Sequence, residues 1–172
     1  MSESIQTIKQ KILFELKKNA RISISNIADK VGVSRQTVAK IISKMEKNKE
    51  IWGYTTIFDP KLLDKKQFIF LCKVDISIDS KDLLKKMIDP KRIEENEQIF
   101  EFETSQFLNG NKDFIVTILA NDIIEAKKRM NFFKNLFRKN IIDIDLLEVI
   151  AMFRQDSIPN PNMTEEWTKL LT

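Results

Sequence analysis

The sequence predicts an α+β protein in two parts, an N-terminal winged helix-turn-helix domain and a C-terminal βαββαβ domain of ferredoxin-like order. Three observations predict it. Apolar residues recur at helical spacing through the first fifty positions and β-rich runs follow. Two amphipathic helices near the N-terminus are separated by a turn of about three residues containing Gly32, the pattern of a helix-turn-helix. Beyond residue 66, strand-like and helix-like segments alternate in the order β-α-β-β-α-β.

Composition narrows the function before any motif does. The chain has 172 residues, of which 42% are hydrophobic and 31% charged, enough apolar material for a core and enough charge to keep it soluble. The absence of histidine removes Ser-His-Asp and Cys-His triads and disfavours the usual zinc and haem sites. Three glycines, Gly32, Gly53 and Gly110, supply no phosphate-cradling loop. No catalytic set, metal site or cofactor is therefore expected. One cysteine, no membrane-length apolar run and no signal-peptide pattern at the N-terminus point to a cytoplasmic protein.

Charge is uneven along the chain. Residues 1–60 carry 11 basic and 6 acidic side chains, whereas residues 61–172 carry 18 and 19, so the net +4 belongs to the first third. On charge alone, binding to a polyanion and a lysine-rich solvated face are equally good readings.

The elements follow in order. Ile5, Ile8, Ile12 and Leu16 put a helix over 4–18, with Lys9, Lys11, Lys17 and Lys18 on its outer side. A short helix follows, with Ser25 as its expected cap, Ile27, Ala28 and Val31 inward and Gly32 at its end. Ser34 caps a third helix with the apolar stripe Val38, Ile41, Ile42 and Met45. Its other side holds Arg35, Gln36, Thr37, Lys40, Lys44 and Lys47. Arg and Gln make bidentate contacts to base edges, Thr reaches a base or phosphate, and lysines suit flanking phosphates. Glu46 is the only acid between Asp29 and Glu50, where a merely solvated helix would carry more for i,i+4 pairing. Ser34, Arg35, Gln36, Thr37, Lys40, Lys44 and Lys47 are thus the candidate contacts to double-stranded DNA. Residues 50–60, with aromatic and β-branched residues around Gly53, predict a small hairpin or wing; Trp52 and Tyr54 are candidates to stack on bases, and packing of the wing onto the helices is the favoured reading.

These residues also carry a resemblance. Asn19-Ala20-Arg21-Ile22-Ser23, Ile27-Ala28-Asp29-Lys30-Val31-Gly32-Val33-Ser34, Thr37-Val38 and Ile51-x-Gly53-Tyr54 resemble the N-terminal domain of the Lrp/AsnC, or feast/famine, transcription regulators in content and spacing. Two departures stand out. Thr7, Lys9 and Gln10 occupy a first helix that usually opens with acids, and Lys40 stands where arginine is common.

In the C-terminal part, residues 61–66 form a polar linker and Gln67–Ile78 a buried strand. Ser80 is the expected cap of a helix carrying Leu83, Leu84, Met87 and Ile88, ended by Asp89-Pro90. A charged connector, Lys91–Glu97, precedes a strand with Phe100 and Phe102, then a turn over 108–112 and a strand from Phe114 to Ala120. Asp122 caps a helix with Ala126, Met130, Phe133 and Phe137 on one face, and a strand from Ile141 to Phe153 closes the domain. Cys72 reads as a small buried hydrophobe.

The division expected is 1–60, linker 61–66, 67–154 and a tail 155–172. In that tail Pro159 and Pro161 predict an extended stretch, and Thr164 a cap for a short helix bearing Trp167. The resemblance implies that 67–154 is an ACT-like sensor (RAM) domain that binds an effector and oligomerises. Gly110-Asn111-Lys112-Asp113-Phe114 is similar to the family's Gly-x-x-Asp hairpin, which implies effector contacts at Gly110 and Asp113. By their residue types alone, a turn glycine and a strand-starting aspartate read equally well. Lys91–Glu97 resembles an insertion relative to the family. Paired aromatics on the second sensor helix, and a two-fold DNA site, favour a homodimer or larger oligomer. The implied function is a DNA-binding regulator modulated by a small metabolite such as an amino acid. Its alternatives are a sirohaem-decarboxylase-like enzyme of the same ancestry, or an architectural DNA binder that responds to no ligand.

Overall fold

In a computed structural model, which describes residues 4–88 and 102–171, each N-terminal helix starts on a serine. Ser4, Ser23 and Ser34 accept the backbone N–H three residues on and so begin α1 (Ile5–Lys18), α2 (Ile24–Val31) and α3 (Arg35–Lys47). The cap of α2 is thus Ser23 rather than Ser25, because Asn26 N–H already closes on Ser23 and leaves Ser25 inside the first turn. Ile12, Ile27, Ala28, Val31, Val38 and Met45 meet in one buried cluster, with Ile8, Leu16, Ile41, Ile42 and Ile51 around it.

The chain then runs without strand pairing from 51 to 59. The expected hairpin is not formed there, and Trp52 is 96% exposed rather than packed on the helices. Two short strands with no sheet to join are marginal in water, and β propensity in this stretch does not overcome that. Asp59 caps a 3-10 turn, Pro60–Leu63.

The second part is a four-stranded antiparallel sheet: β1 (Lys66–Val74), β2 (Thr104–Phe107), β3 (Phe114–Ala120) and β4 (Ile141–Glu148), in spatial order β2-β3-β1-β4. Helix α4 (Ser80–Ile88) connects with β1, and α5 (Ile123–Leu136), capped by Asp122, lies between β3 and β4. This is the ferredoxin-like order. Register fixes the two faces. Phe68, Phe70 and Cys72 of β1 pair with Ile118, Val116 and Phe114 of β3, and all six are buried. Phe133 of α5 is the hub of this core, its ring centroid 4.7 Å from Phe137, 5.8 Å from Phe70 and 5.9 Å from Phe102. Burial pushes the Cys72 thiol up to about 12, as befits a side chain that acts as a hydrophobe.

Several boundaries shift for local reasons. Strand β1 stops at Val74, not Ile78, because the Asp75 carboxylate turns back to accept Ser77 N–H and Oγ–H. Ser80 is the first residue of α4 rather than its cap; the amides of Asp82 and Leu83 bond to the Asp79 carbonyl. Phe102 and Glu103 precede β2. Strand β4 stops at Glu148, where its pairing with β1 ends opposite Phe68 and Val149 N–H reaches the Gln67 carbonyl. The Asp89-Pro90 stop, the Lys91–Glu97 connector and Phe100 lie outside the described residues.

The tail is folded rather than extended. β5 (Arg154–Gln155) and β6 (Ile158–Pro159) pair across Asp156 and Ser157, both at positive φ, and α6 (Met163–Leu171) follows. Thr164 sits within α6 and does not cap it. Asn160 Nδ2 joins the pieces by donating to the Met152 carbonyl and to Glu166. By contacts the chain divides into two compact units, one taking in residues up to Ile57 together with those from Ala151 onward, the other running from Phe58 to Ile150. No described helix is long and apolar enough to cross a membrane.

Candidate nucleic-acid interface

The geometry of α3 begins at Gly32. This residue lies in the left-handed region at φ 77°, and its amide and that of Val33 both return to the Ala28 carbonyl. The turn closes α2 and releases α3 after two residues. Ser34 then caps α3 through Thr37 N–H at 3.1 Å, and the two hydroxyls share a bond of 2.9 Å. Val38 and Met45 are fully buried, which fixes the rotation of the helix. The remaining face is consequently exposed: Ser34, Arg35, Gln36, Thr37, Lys40, Lys44 and Lys47 all lie at the surface.

What surrounds that face is as informative as what is on it. Glu15 is held by Lys30 at 2.5 Å and Lys18 at 3.4 Å. Glu50 accepts from Lys9 at 2.7 Å and from Asn48 at 3.3 Å. The Glu46 carboxylate accepts the Tyr54 hydroxyl at 2.8 Å. The lysine bonds hold Glu15 and Glu50 below the ordinary carboxylate range, while burial, then Glu46, pushes the Tyr54 phenol up. Among the described residues, Arg35, Lys40, Lys44 and Lys47 have no acidic partner within ion-pair distance. Glu15, Glu46 and Glu50 are thus bonded to other groups, and no α3 cation is closed on an acid, although Lys44 still lies near enough to Glu50 to help hold its carboxyl down. Sequence reasoning missed this division, because Lys9 and Glu50 stand 41 residues apart and no helical spacing links them.

The second candidate site, Gly110 with Asp113, lies in the β2–β3 connection. Gly110 is exposed, has no positive φ, and a Cβ there would meet only the Lys112 carbonyl, at 4.0 Å. Its conformation does not require glycine. Asp113 is half-buried and bonded on every side. Its carboxylate accepts Val74 N–H and Lys73 Nζ, each at 3.0 Å, and its amide donates to Cys72. The backbone bond from Val74, then the lysine, holds the carboxyl below its usual range. Next to it, Lys112 pairs with Asp143 at 2.5 Å and Asp145 at 2.7 Å, and those two acids, Asp143 first, raise its own pKa. The hairpin is therefore tied to β1 and β4 by charge. Among the described residues no group of His, Cys, Asp or Glu is placed to hold a metal ion.

Comparison with known proteins agrees with this geometry. A model of winged helix-turn-helix DNA-binding domains matches residues 5–48. The proline dehydrogenase transcriptional activator of Rhodobacter capsulatus is 31% identical over 130 residues, covering 76% of this chain and 80% of the relative. The leucine-responsive regulatory protein of Haemophilus influenzae is 25% identical over 74% of this chain and 73% of its own. Among solved structures, a transcriptional regulator of Neisseria meningitidis in complex with L-Met superposes with a TM-score of 0.64 at 15% identity, over 95% of this chain and 99% of that one. These relatives are transcription regulators rather than enzymes, in line with the regulator reading over the decarboxylase one. A helix-turn-helix unit with an open cationic helix, followed by a β2-β3-β1-β4 sheet domain and shared with these regulators over most of its length, makes the chain a member of the Lrp/AsnC family of DNA-binding transcriptional regulators.

Proposed function

We propose that this regulator binds operator DNA as a dimer or larger homo-oligomer, that α3 enters the major groove, and that a small metabolite such as an amino acid modulates binding. Arg35 and Gln36 read base edges, Ser34 and Thr37 fix the helix start and reach a base or phosphate, and Lys40, Lys44 and Lys47 meet phosphates. One observation carries the reading: these cations have no acidic partner among the described residues while neighbouring glutamates are engaged. Lysine at position 40 makes a point-charge contact where arginine would fork onto a guanine.

Dimerisation is supported by the sheet. The face opposite α5 carries Ile69, Leu71, Ile115 and Leu147, an apolar strip that a second copy would cover. Effector binding is supported by the structural neighbour solved with L-Met, and the resemblance of Gly110–Asp113 to the family's Gly-x-x-Asp hairpin makes that hairpin the candidate place. In this reading Asp113 acts by holding the hairpin's shape. The residue division that goes with it is 1–60 for DNA, 61–66 as linker, 67–154 for effector and assembly, and 155–172 as a tail.

The test is binding of the full chain to its own gene's upstream DNA across a salt series, with and without pooled amino acids. Affinity should fall steeply with salt, and Arg35→Ala with Lys40→Ala should flatten the log–log slope by about 0.9 per lost phosphate contact. No salt slope would sink the DNA assignment. No response to any amino acid would sink the effector and leave the ligand-independent binder.

A further inference from the structure

We infer that Trp52 is a DNA-backbone contact, an indole that rests on the sugar–phosphate edge beside the groove taken by α3; this deepens the DNA reading above and rests on it. A tryptophan that is 96% exposed is unusual, since burying so large a ring is among the strongest stabilising contributions a side chain makes. The other tryptophan, Trp167, packs at a tilt against Phe153 with ring centroids 5.4 Å apart. Trp52 stays out although the chain on both sides is anchored. Before it, Glu50 N–H and Ile51 N–H both return to the Met45 carbonyl, Glu50 is tied to Lys9, and Ile51 packs on the helical core. After it, Tyr54 donates to Glu46 of α3. The indole is therefore presented from a fixed stretch of backbone beside the C-terminal end of the cationic helix.

The neighbours select the occupant. Lys44, Lys47 and Lys49 are all exposed and stand within eight positions of Trp52 along a chain that Glu50 N–H and Ile51 N–H fold back onto the Met45 carbonyl of α3. An apolar protein partner seated on the indole would have to desolvate those ammonium groups, whereas a phosphate backbone takes them as counterions. An indole suits the same surface: its face packs on deoxyribose and its N–H donates to a phosphate oxygen. Being neutral, it releases no counterion. This gives the contact a signature unlike that of a lysine. Trp52→Ala should weaken binding about tenfold at fixed salt, equally for different sequences, and leave the log–log salt slope unchanged.

The experiment uses the full chain carrying Trp167→Phe, so that emission reports Trp52 alone, and a fluorescein-labelled duplex from the gene's own upstream region. Trp52 emission should be quenched in step with DNA anisotropy. Trp52→Ala should lose about tenfold in affinity with its Tm and salt slope unaltered, and Trp52→Phe should keep most of the affinity. A parallel variant, Lys44→Ala with Lys47→Ala, separates the two readings. If that variant loses affinity and slope while Trp52→Ala binds as the parent does with emission untouched by DNA, the Trp52 contact is refuted and the role of α3 stands. If both variants are silent, the α3 assignment fails and takes the Trp52 contact with it. If Trp52 emission shifts with protein concentration in the absence of DNA, the indole is a self-association contact and the inference is overturned.

Discussion

The exposed face of α3 and the hairpin at 108–113, with Lys112 on it and Lys73 of β1 beside it, treat charge in opposite ways. On α3 the described cations stand without acidic partners, because Glu15, Glu46 and Glu50 are engaged by Lys30, Tyr54 and Lys9. Around the hairpin, Lys73 is closed on Asp113 and Lys112 on both Asp143 and Asp145. Both regions are exposed enough for water to screen such pairs, so the difference is not mainly one of stability. It is one of availability: an uncompensated surface offers its charge to an outside anion, and a compensated one holds its own loop in place.

The largest effect that tests this contrast is on DNA affinity. Replacing Arg35, Lys40, Lys44 and Lys47 together by alanine should cost several orders of magnitude at low salt and flatten the log–log slope by roughly 0.9 for each phosphate contact removed. An unchanged slope in an anisotropy titration would mean that the α3 cations are no more available than those of the hairpin. Next comes Phe133→Ala, which empties the hub of the sheet domain's core and should cost about 3–5 kcal/mol in denaturant unfolding. The helical cluster shares no residue with that core, so its own transition should persist. Loss of both transitions at once would show that the two units fold as one.

Smaller still is Gly32→Ala, which forces a side chain into the left-handed region at φ 77° and should cost about 1–2 kcal/mol of the helical unit's stability. Gly110→Ala should stay within a few tenths of a kcal/mol, since neither φ nor space there demands glycine. Equal losses at the two positions would refute the conformations assigned to them. The least effect is in acid. The fold depresses the Asp113 pKa, so its contribution is present above its ordinary value near 4 and is lost as pH falls below that toward the folded-state value. Thermal melts of Asp113→Asn between about pH 5 and pH 2 should therefore show a shallower acid loss than the parent. A parallel pair of curves would mean that the carboxylate bonds contribute nothing to the hairpin.

Local patterns made much of this molecule legible. The Ser34 cap, a left-handed glycine and apolar spacing mark the three N-terminal helices because each of those signals acts within four residues, whereas the cap of α2 is Ser23 and not Ser25. The exposed residues from Ser34 to Lys47 follow from the same spacing, since a buried Val38 and Met45 leave only one outward face. Strand ends were less legible. Asp75 and Ser77 alternate with Ile76 and Ile78 as a strand would, and only the turn-closing bonds to the Asp75 carboxylate end β1 at Val74. The hairpin expected at 50–60 is not formed for a related reason: β propensity in this stretch marks an extended chain but supplies no strand to pair with.

By itself, then, the sequence determined the helical unit, the βαββαβ order and the identity of the cationic face, because periodicity and capping are carried by neighbouring residues. Tertiary structure alone decided which charges are available. Lys9 meets Glu50 across 41 residues, Lys73 meets Asp113 across 40, and Lys112 meets Asp143 across 31. Pairs so far apart in sequence are made by packing, and whether a lysine is a structural clamp or a waiting ligand for phosphate depends on what the fold brings beside it.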